Sequence, residues 1–162
     1  MIVADTSALV SLATVGLVPI LCEEFDCHTT EAVAEELRAT AEYDDVSGEA
    51  AQSVLDQFAQ MTIHEVEASE FESSRIDRGE GRCAVLTHEL DADFLVTDDL
   101  RALPELQTVA ASKVAISPIV LEALVRRDVL TRDRAKSELR RIANRRDWLE
   151  APIYRRAQAL LD

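Results

Sequence analysis

The chain has 162 residues, 48% of them apolar, which is enough for one domain with a real core. Its formal net charge of −14 is the reverse of the basic footprint usual in nucleic-acid binders. No apolar run approaches the roughly 20 residues that span a bilayer, Asp5 stands where a signal peptide would carry a base, and three cysteines, Cys22, Cys27 and Cys83, make no disulfide framework.

These limits lead us to expect a cytoplasmic protein with no membrane partner. Taken in chain order, Met1 to Ala4 reads as a short strand ending at Asp5, and Thr6-Ser7 offers a helix N-cap before Ala8-Leu9-Val10. A short helix is expected over Val18 to Glu23, with Pro19 in its first turn, then a strand over Phe25 to His28. Thr29-Thr30 caps a helix from Glu31 to about Tyr43, with Ala32, Val33 and Leu37 on one face. Asp44 to Gly48 is a turn, Glu49 to Gln60 a helix, and Met61 to Val66 a strand. Glu67 to Arg75 reads as an exposed helix that Asp77-Arg78-Gly79 breaks, and Glu80 to Leu90 as the next helix. Phe94-Leu95-Val96-Thr97 is a continuous apolar run of the kind buried on both faces of a sheet. A short helix to about Leu106, a strand over Val114 to Ile116, and helices over Pro118–Arg126, Arg132–Arg145 and Ile153–Leu161 complete the chain. Strands separated by helices predict an α/β fold with a mostly parallel sheet.

In such sheets functional groups collect beyond the carboxyl ends of the strands. Asp5 follows the first strand, and Asp98 and Asp99 follow the Phe94–Thr97 strand. Glu36 lies on the helix after the second strand, and Glu80 opens its own helix. Four or five carboxylates can therefore meet at one sheet edge. Each has a structural alternative: Asp5 and the Asp98-Asp99 pair as caps or turns, Glu36 as a solvated helix residue beside Glu35, Glu80 as a dipole-favoured first-turn acid. If they do meet, like charges raise one another's pKa, and a divalent cation removes the conflict. Magnesium and manganese take oxygen ligands, and a carboxylate cage around hydrated metal suits phosphodiester hydrolysis. Zinc is disfavoured because the cluster has no His or Cys, and Cys22, Cys27 and His28 elsewhere fit no common zinc spacing. The histidines His28, His64 and His88 are scattered, and no role is assigned to them.

The joint pattern resembles the PIN-domain ribonucleases. The resemblance rests on Ile2-Val3-Ala4-Asp5-Thr6-Ser7-Ala8-Leu9, Val33-Ala34-Glu35-Glu36-Leu37, Asp77-Arg78-Gly79-Glu80 and Phe94-Leu95-Val96-Thr97-Asp98-Asp99-Leu100, and extends through Ser117 to Leu124. It covers the whole chain, so 1–162 is expected to be a single PIN-like nuclease domain in which 117–162 is an arginine-rich helical part. The resemblance implies a three-layer α/β/α fold around a central parallel sheet of about five strands, Mg²⁺ or Mn²⁺ dependence, and cleavage of single-stranded RNA. It also implies, for toxins of this kind, a small antitoxin protein as partner and a homodimer. By residue, Asp5, Glu36, Glu80, Asp98 and Asp99 match the acidic catalytic positions, with the metal on Asp5 and on Asp98 or Asp99. Thr6 or Ser7 would support the first Asp and Thr97 the last. The chain departs at Arg82, where relatives with a Gly-Glu motif often carry a second acid, and Glu35 competes with Glu36 for the second position.

Charge is divided along the chain. Residues 1–116 carry 24 acids and 6 bases, whereas 117–162 carry 7 acids and 11 bases, ten of them arginines. The tail arginines could contact RNA phosphates or pair with acids such as Glu138 and Asp147, and Trp148 and Tyr154 could stack bases or anchor the tail. Two rival readings remain. A phosphate-accepting receiver would want an acidic pair after the first strand and a lysine after the last, neither of which is present. A degenerate PIN fold would keep a partner surface without catalysis, and Arg82 is the residue that raises it.

Overall fold

A computed structural model describes all 162 residues. Five strands, β1 (Ile2–Ala4), β2 (Cys27–Thr30), β3 (Thr62–His64), β4 (Phe94–Val96) and β5 (Lys113–Ala115), form one all-parallel sheet in the order β3-β2-β1-β4-β5. Nine helices surround it: α1 (Thr6–Ala13), α2 (Val18–Glu24), α3 (Glu31–Thr40), α4 (Val46–Leu55), α5 (Arg78–Leu90), α6 (Leu103–Val109), α7 (Pro118–Arg126), α8 (Arg132–Arg145) and α9 (Pro152–Leu161). No single helix is long and apolar enough to cross a membrane.

The sheet is parallel because a helix lies between each strand and the next, returning the chain to the same edge. Val3, Ala4, Leu95 and Val96 are buried, as expected of central strands covered on both faces. α5 lies across β2, β1 and β4. α7 brings Ile119, Val120 and Ala123 against the side carrying Ile2, Phe94 and Val96. The chain builds outward from β1 to β2 and β3, then returns to β4 and β5 on the opposite flank. The strand order therefore reverses between β1 and β4, and a crevice opens beyond their carboxyl ends. Asp5 follows β1 and Asp98 follows the β4 edge at that reversal.

Several boundaries depart from the sequence reading, each for a local reason. β2 runs two residues later than Phe25–His28, because Thr29 is paired with Ile63 while Thr30 both ends the strand and caps α3 through Val33 N–H. α4 begins at Val46, where the Asp45 carboxylate accepts from Gly48 N–H, and it stops at Leu55 before a separate 3-10 turn over Phe58–Gln60. Gly48, read as a turn residue, lies inside the first helical turn, where a Cβ would collide with the Tyr43 carbonyl. The expected helix over Glu67–Arg75 does not form. There Ser69 Oγ accepts from Phe71 N–H, and Ser73 Oγ from Arg75 and Ile76 N–H. Such side-chain bonds give the backbone an alternative to helix. α5 starts at Arg78, earlier than Glu80, because Asp77 is its N-cap.

The tail is packed onto the body. α7, α8 and α9 contact one another, and Leu121, Leu124, Leu139, Ile142, Trp148, Ile153 and Leu161 join the same apolar core as β1 and β4. Trp148 is thus an anchor of the tail. Glu138 is buried between Arg134 and Arg141, with both guanidinium groups at 2.6 Å. With Arg126 on Glu122 and Arg127 on Glu24, four of the tail arginines are held by an acid, as the ion-pairing reading expects.

Candidate active site

Asp5 is the N-cap residue of α1, yet its side chain makes no cap hydrogen bond. Its carboxylate is instead held by the hydroxyls of Ser7 at 3.1 Å and Thr97 at 3.2 Å, both donating to Oδ2. The same two hydroxyls accept backbone N–H groups from the turn after β4: Ser7 Oγ from Asp98 at 2.9 Å and Thr97 Oγ1 from Asp99 at 3.3 Å. Ser7 and Thr97 thus tie the ends of β1 and β4 together and fix Asp5 between them. Thr6 serves another acid, donating to Glu36 Oε2 at 2.5 Å across the gap to α3.

Glu80 is 2% exposed and closes a capping box with Asp77. Asp77 Oδ1 accepts from Glu80 N–H at 2.8 Å, and Glu80 Oε2 accepts from Asp77 N–H at 3.0 Å. This reciprocal pair holds both side chains at the mouth of α5. Asp5, Glu36, Asp77, Glu80 and Asp99 all line one cleft of about 250 Å³, and Arg146 from the end of α8 lines it too.

The cleft separates candidates that the sequence left level. Glu36 lines it, whereas Glu35 is exposed and paired with Arg78 at 2.7 Å. Asp99 lines it, whereas Asp98 is turned into the protein. Asp98 Oδ1 accepts from Ser117 N–H at 2.7 Å, while its Oδ2 is buried with no hydrogen-bond partner. Burial raises the Asp98 pKa against the opposing pull of Ser117 and the nearby Arg146 guanidinium. Asp99 is partly buried, but its hydrogen bonds to Arg101 hold its carboxyl below the ordinary value. Arg82 points away from the acids and donates to the Glu67 carbonyl at 2.7 Å.

The remaining acids are in electrostatic conflict. Burial, then the charges of Glu36 and Asp77, push Asp5 up to about 7 against the Thr6 and Ser7 hydrogen bonds. Burial, with Asp5, Asp77 and Asp99 nearby, pushes Glu80 up to about 8. Glu36 is raised by burial and by Asp77. A group of oxygen acids with elevated proton affinity is a donor set that suits a hard divalent cation. No three of the chain's Asp, Glu, His or Cys side chains converge closely enough to clasp an ion by themselves. The arrangement fits magnesium or manganese that keeps part of its water shell and touches one or two carboxylates directly. It does not suit a dry cage.

Two contributors to the cleft were not identified as such in the sequence. Asp77 was read as a helix breaker, and its Asp-x-x-Glu spacing to Glu80 is the capping-box signal that places it. Arg146 sits far from the other residues in sequence and reaches the cleft by donating from Nε to Ser11 Oγ at 3.1 Å. Burial lowers its pKa, while Asp98 counters that shift.

Gly79 enforces this geometry. It sits in the first turn of α5, and a Cβ there would collide with the Glu36 carboxylate. Alanine is the better helix former by roughly 0.5–1 kcal/mol, so Gly79→Ala should leave thermal stability unchanged or slightly raised while displacing Glu36. We expect metal-dependent activity to fall by about tenfold or more, measured beside a melting curve. Activity retained at the wild-type level would show that the position of Glu36 is immaterial.

No curated protein matches the chain significantly. The sequence profile described as PIN domain matches residues 1–162, the full length. The chain belongs to the PIN-domain family.

Proposed function

We propose that this protein is a metal-dependent endoribonuclease that hydrolyses phosphodiester bonds of single-stranded RNA in the cleft beyond β1 and β4. The observation that carries the reading is the set of oxygen acids, Asp5, Glu36, Asp77, Glu80 and Asp99, lining one cleft with Asp5 and Glu80 raised to about 7 and about 8. Bound Mg²⁺ or Mn²⁺ would supply charge neutralisation at the phosphate and a more acidic bound water. Asp5 and Asp99 are the residues best placed to hold it, and Asp98, expected from the sequence to share that role, is assigned a supporting one. Ser7 and Thr97 orient Asp5, and Thr6 orients Glu36. Glu36 and Glu80 line the cleft and would order water there, and a carboxylate among them kept ionised by the bound cation would accept its proton. Arg146 supplies positive charge at the rim, where a phosphate oxygen would gain from it.

The finer assignment belongs to the same proposal: one nuclease domain over 1–162, acting in the cytoplasm as a dimeric toxin restrained by a small antitoxin protein. A non-catalytic partner-binding PIN fold is the second reading, favoured by the failure of any three acids to converge. Arg82, which stands where relatives with a Gly-Glu motif often carry a second acid, also favours it, and its guanidinium is held by the Glu67 carbonyl away from the cleft.

Labelled single-stranded RNA incubated with the protein and Mg²⁺, Mn²⁺ or chelator tests the choice. Cleavage that needs metal and stops with chelator supports the nuclease. A folded protein that cleaves nothing with either metal, over a range of salt, would establish the partner-binding reading.

A further inference from the structure

We propose that the groove between α8 and α9 is a docking site for the phosphate backbone of single-stranded RNA, from which the strand passes to the cleft. The inference rests on the nuclease reading for its direction but on separate residues for its substance. A chain of net charge −14 repels a polyanion unless its cations are gathered and left free. In the body the arginines are not free, and the one lysine, Lys113, lies over the Phe94 ring. Arg38, Arg75, Arg78 and Arg101 are paired with Glu31, Glu105, Glu35 and Asp99, and Arg82 is taken by a carbonyl.

The tail differs. Arg126 and Arg127 are paired with Glu122 and Glu24, Arg134 and Arg141 share Glu138, and Arg132 bonds the Leu161 carbonyl, but others are left unpaired. Arg140 and Arg155 are exposed, have no acidic partner, and face one another across a groove of about 510 Å³. That volume lies in the range of sites that take a small ligand or one residue of a polymer. Tyr154 lines the same groove, half-buried. Lys136 stands there as well, with Asp162 on it at 3.3 Å. Two free guanidinium groups beside an aromatic ring are the elements that hold a single strand, fork-like donors for phosphate and a π face for a base.

The groove connects to the cleft through α8. Arg140 faces the groove and Arg146, six positions on, lines the cleft. At 1.5 Å per residue the two are separated by about 9 Å along the axis, and at 3.6 residues per turn by about 120° around it, so a strand passing from groove to cleft would bend around α8.

The test is anisotropy of a short labelled single-stranded RNA with the protein in chelator, so that binding is read without cleavage. Wild type is compared with the Arg140→Gln/Arg155→Gln double variant and with Arg38→Gln as a body control. We expect the double variant to lose about tenfold or more in affinity, and the slope of log affinity against log salt to shrink by about 1.4, the value for two lost single-strand phosphate contacts. Arg38→Gln should change neither. Tyr154→Ala should weaken binding and Tyr154→Phe should not. In cleavage, the double variant should raise KM for long RNA at unchanged kcat and leave a dinucleotide substrate unaffected.

Equal affinity and slope in wild type and double variant would overturn the proposal. So would preferential binding of poly-glutamate over RNA through these arginines, which would make the groove an acidic-protein site. RNA binding that depends on the pair in a protein that never cleaves RNA would uphold the groove and defeat the nuclease. Cleavage that is indifferent to the pair would do the opposite.

Discussion

Asp5→Asn is expected to abolish RNA cleavage and, at the same time, to make the metal-free protein more stable. The two effects have one cause. Asp5 is 4% exposed and faces the charges of Glu36 and Asp77. Its carboxyl rises from the ordinary 3.8 to about 7 in the folded chain. A carboxyl raised on folding favours the folded state below its unfolded pKa, and that contribution is lost as pH climbs through the folded value. Asp5's share of metal-free stability should therefore be lost between about pH 4 and pH 7, and Glu80, raised to about 8, extends the decline to about pH 8. The deficit at pH 8 is on the order of 4 kcal/mol if Asp5 acts alone, and the raised Glu80 and Glu36 act in the same direction.

Asparagine keeps an oxygen to accept from Ser7 and Thr97 but carries no charge. In chelator at pH 8 the variant should melt later than wild type, and the gap should narrow toward pH 5. Adding Mg²⁺ should raise the wild-type melting temperature, as any ligand of the native state does, and barely move the variant. Cleavage should fall on the order of a thousandfold, since a charge aimed at the reacting centre is lost. A variant less stable than wild type in chelator at pH 8 would mean that the acids are not in conflict. Cleavage retained in it would remove Asp5 from the chemistry.

The sequence carried the strand ends well and the side-chain directions poorly. β1 and β4 are short apolar runs ending in Asp5 and Thr97-Asp98-Asp99; the structure sets them side by side, and the crevice beyond them then follows from parallel α/β topology. Which of two neighbouring acids faces the crevice does not follow. Glu35 and Glu36 lie about 100° apart on α3, and only the packing of α3 against α1 and α5 selects Glu36. Asp98 and Asp99 lie past the end of β4, where no alternation rule holds, and the choice is made by Ser117 N–H, nineteen residues away. The Glu67–Arg75 segment was misread because its charge density looks helical, while the Ser69 and Ser73 hydroxyls bond the local backbone instead. Arg146 could not be found from spacing, since only the fold of the tail brings it to Ser11 and Asp98.

The Asp98-Asp99 pair offers the sharpest separation of structure from chemistry. Asp98→Ala would leave Ser117 N–H without its acceptor inside the protein and the half-buried Arg146 guanidinium without the counter-charge of Asp98. Removing one partner of a buried, charge-assisted contact costs more than the contact contributes, here about 2–4 kcal/mol. The variant should show a clearly lower midpoint in urea. Asp98→Asn keeps the acceptor for Ser117 and should recover most of that loss, with metal-dependent cleavage largely intact.

Asp99→Ala loses the bonds to Arg101 and Ala102 N–H at the start of a turn that water reaches, which should cost about 1 kcal/mol. It should nonetheless lower cleavage about a hundredfold, because it removes a carboxylate from the cleft wall. Urea titrations and cleavage rates on the three variants give a crossed pattern, stability lost in one and activity in another. If Asp98→Asn abolished cleavage while Asp99→Ala spared it, the metal would belong on Asp98, and the buried Oδ2 that lacks a hydrogen-bond partner would be its ligand.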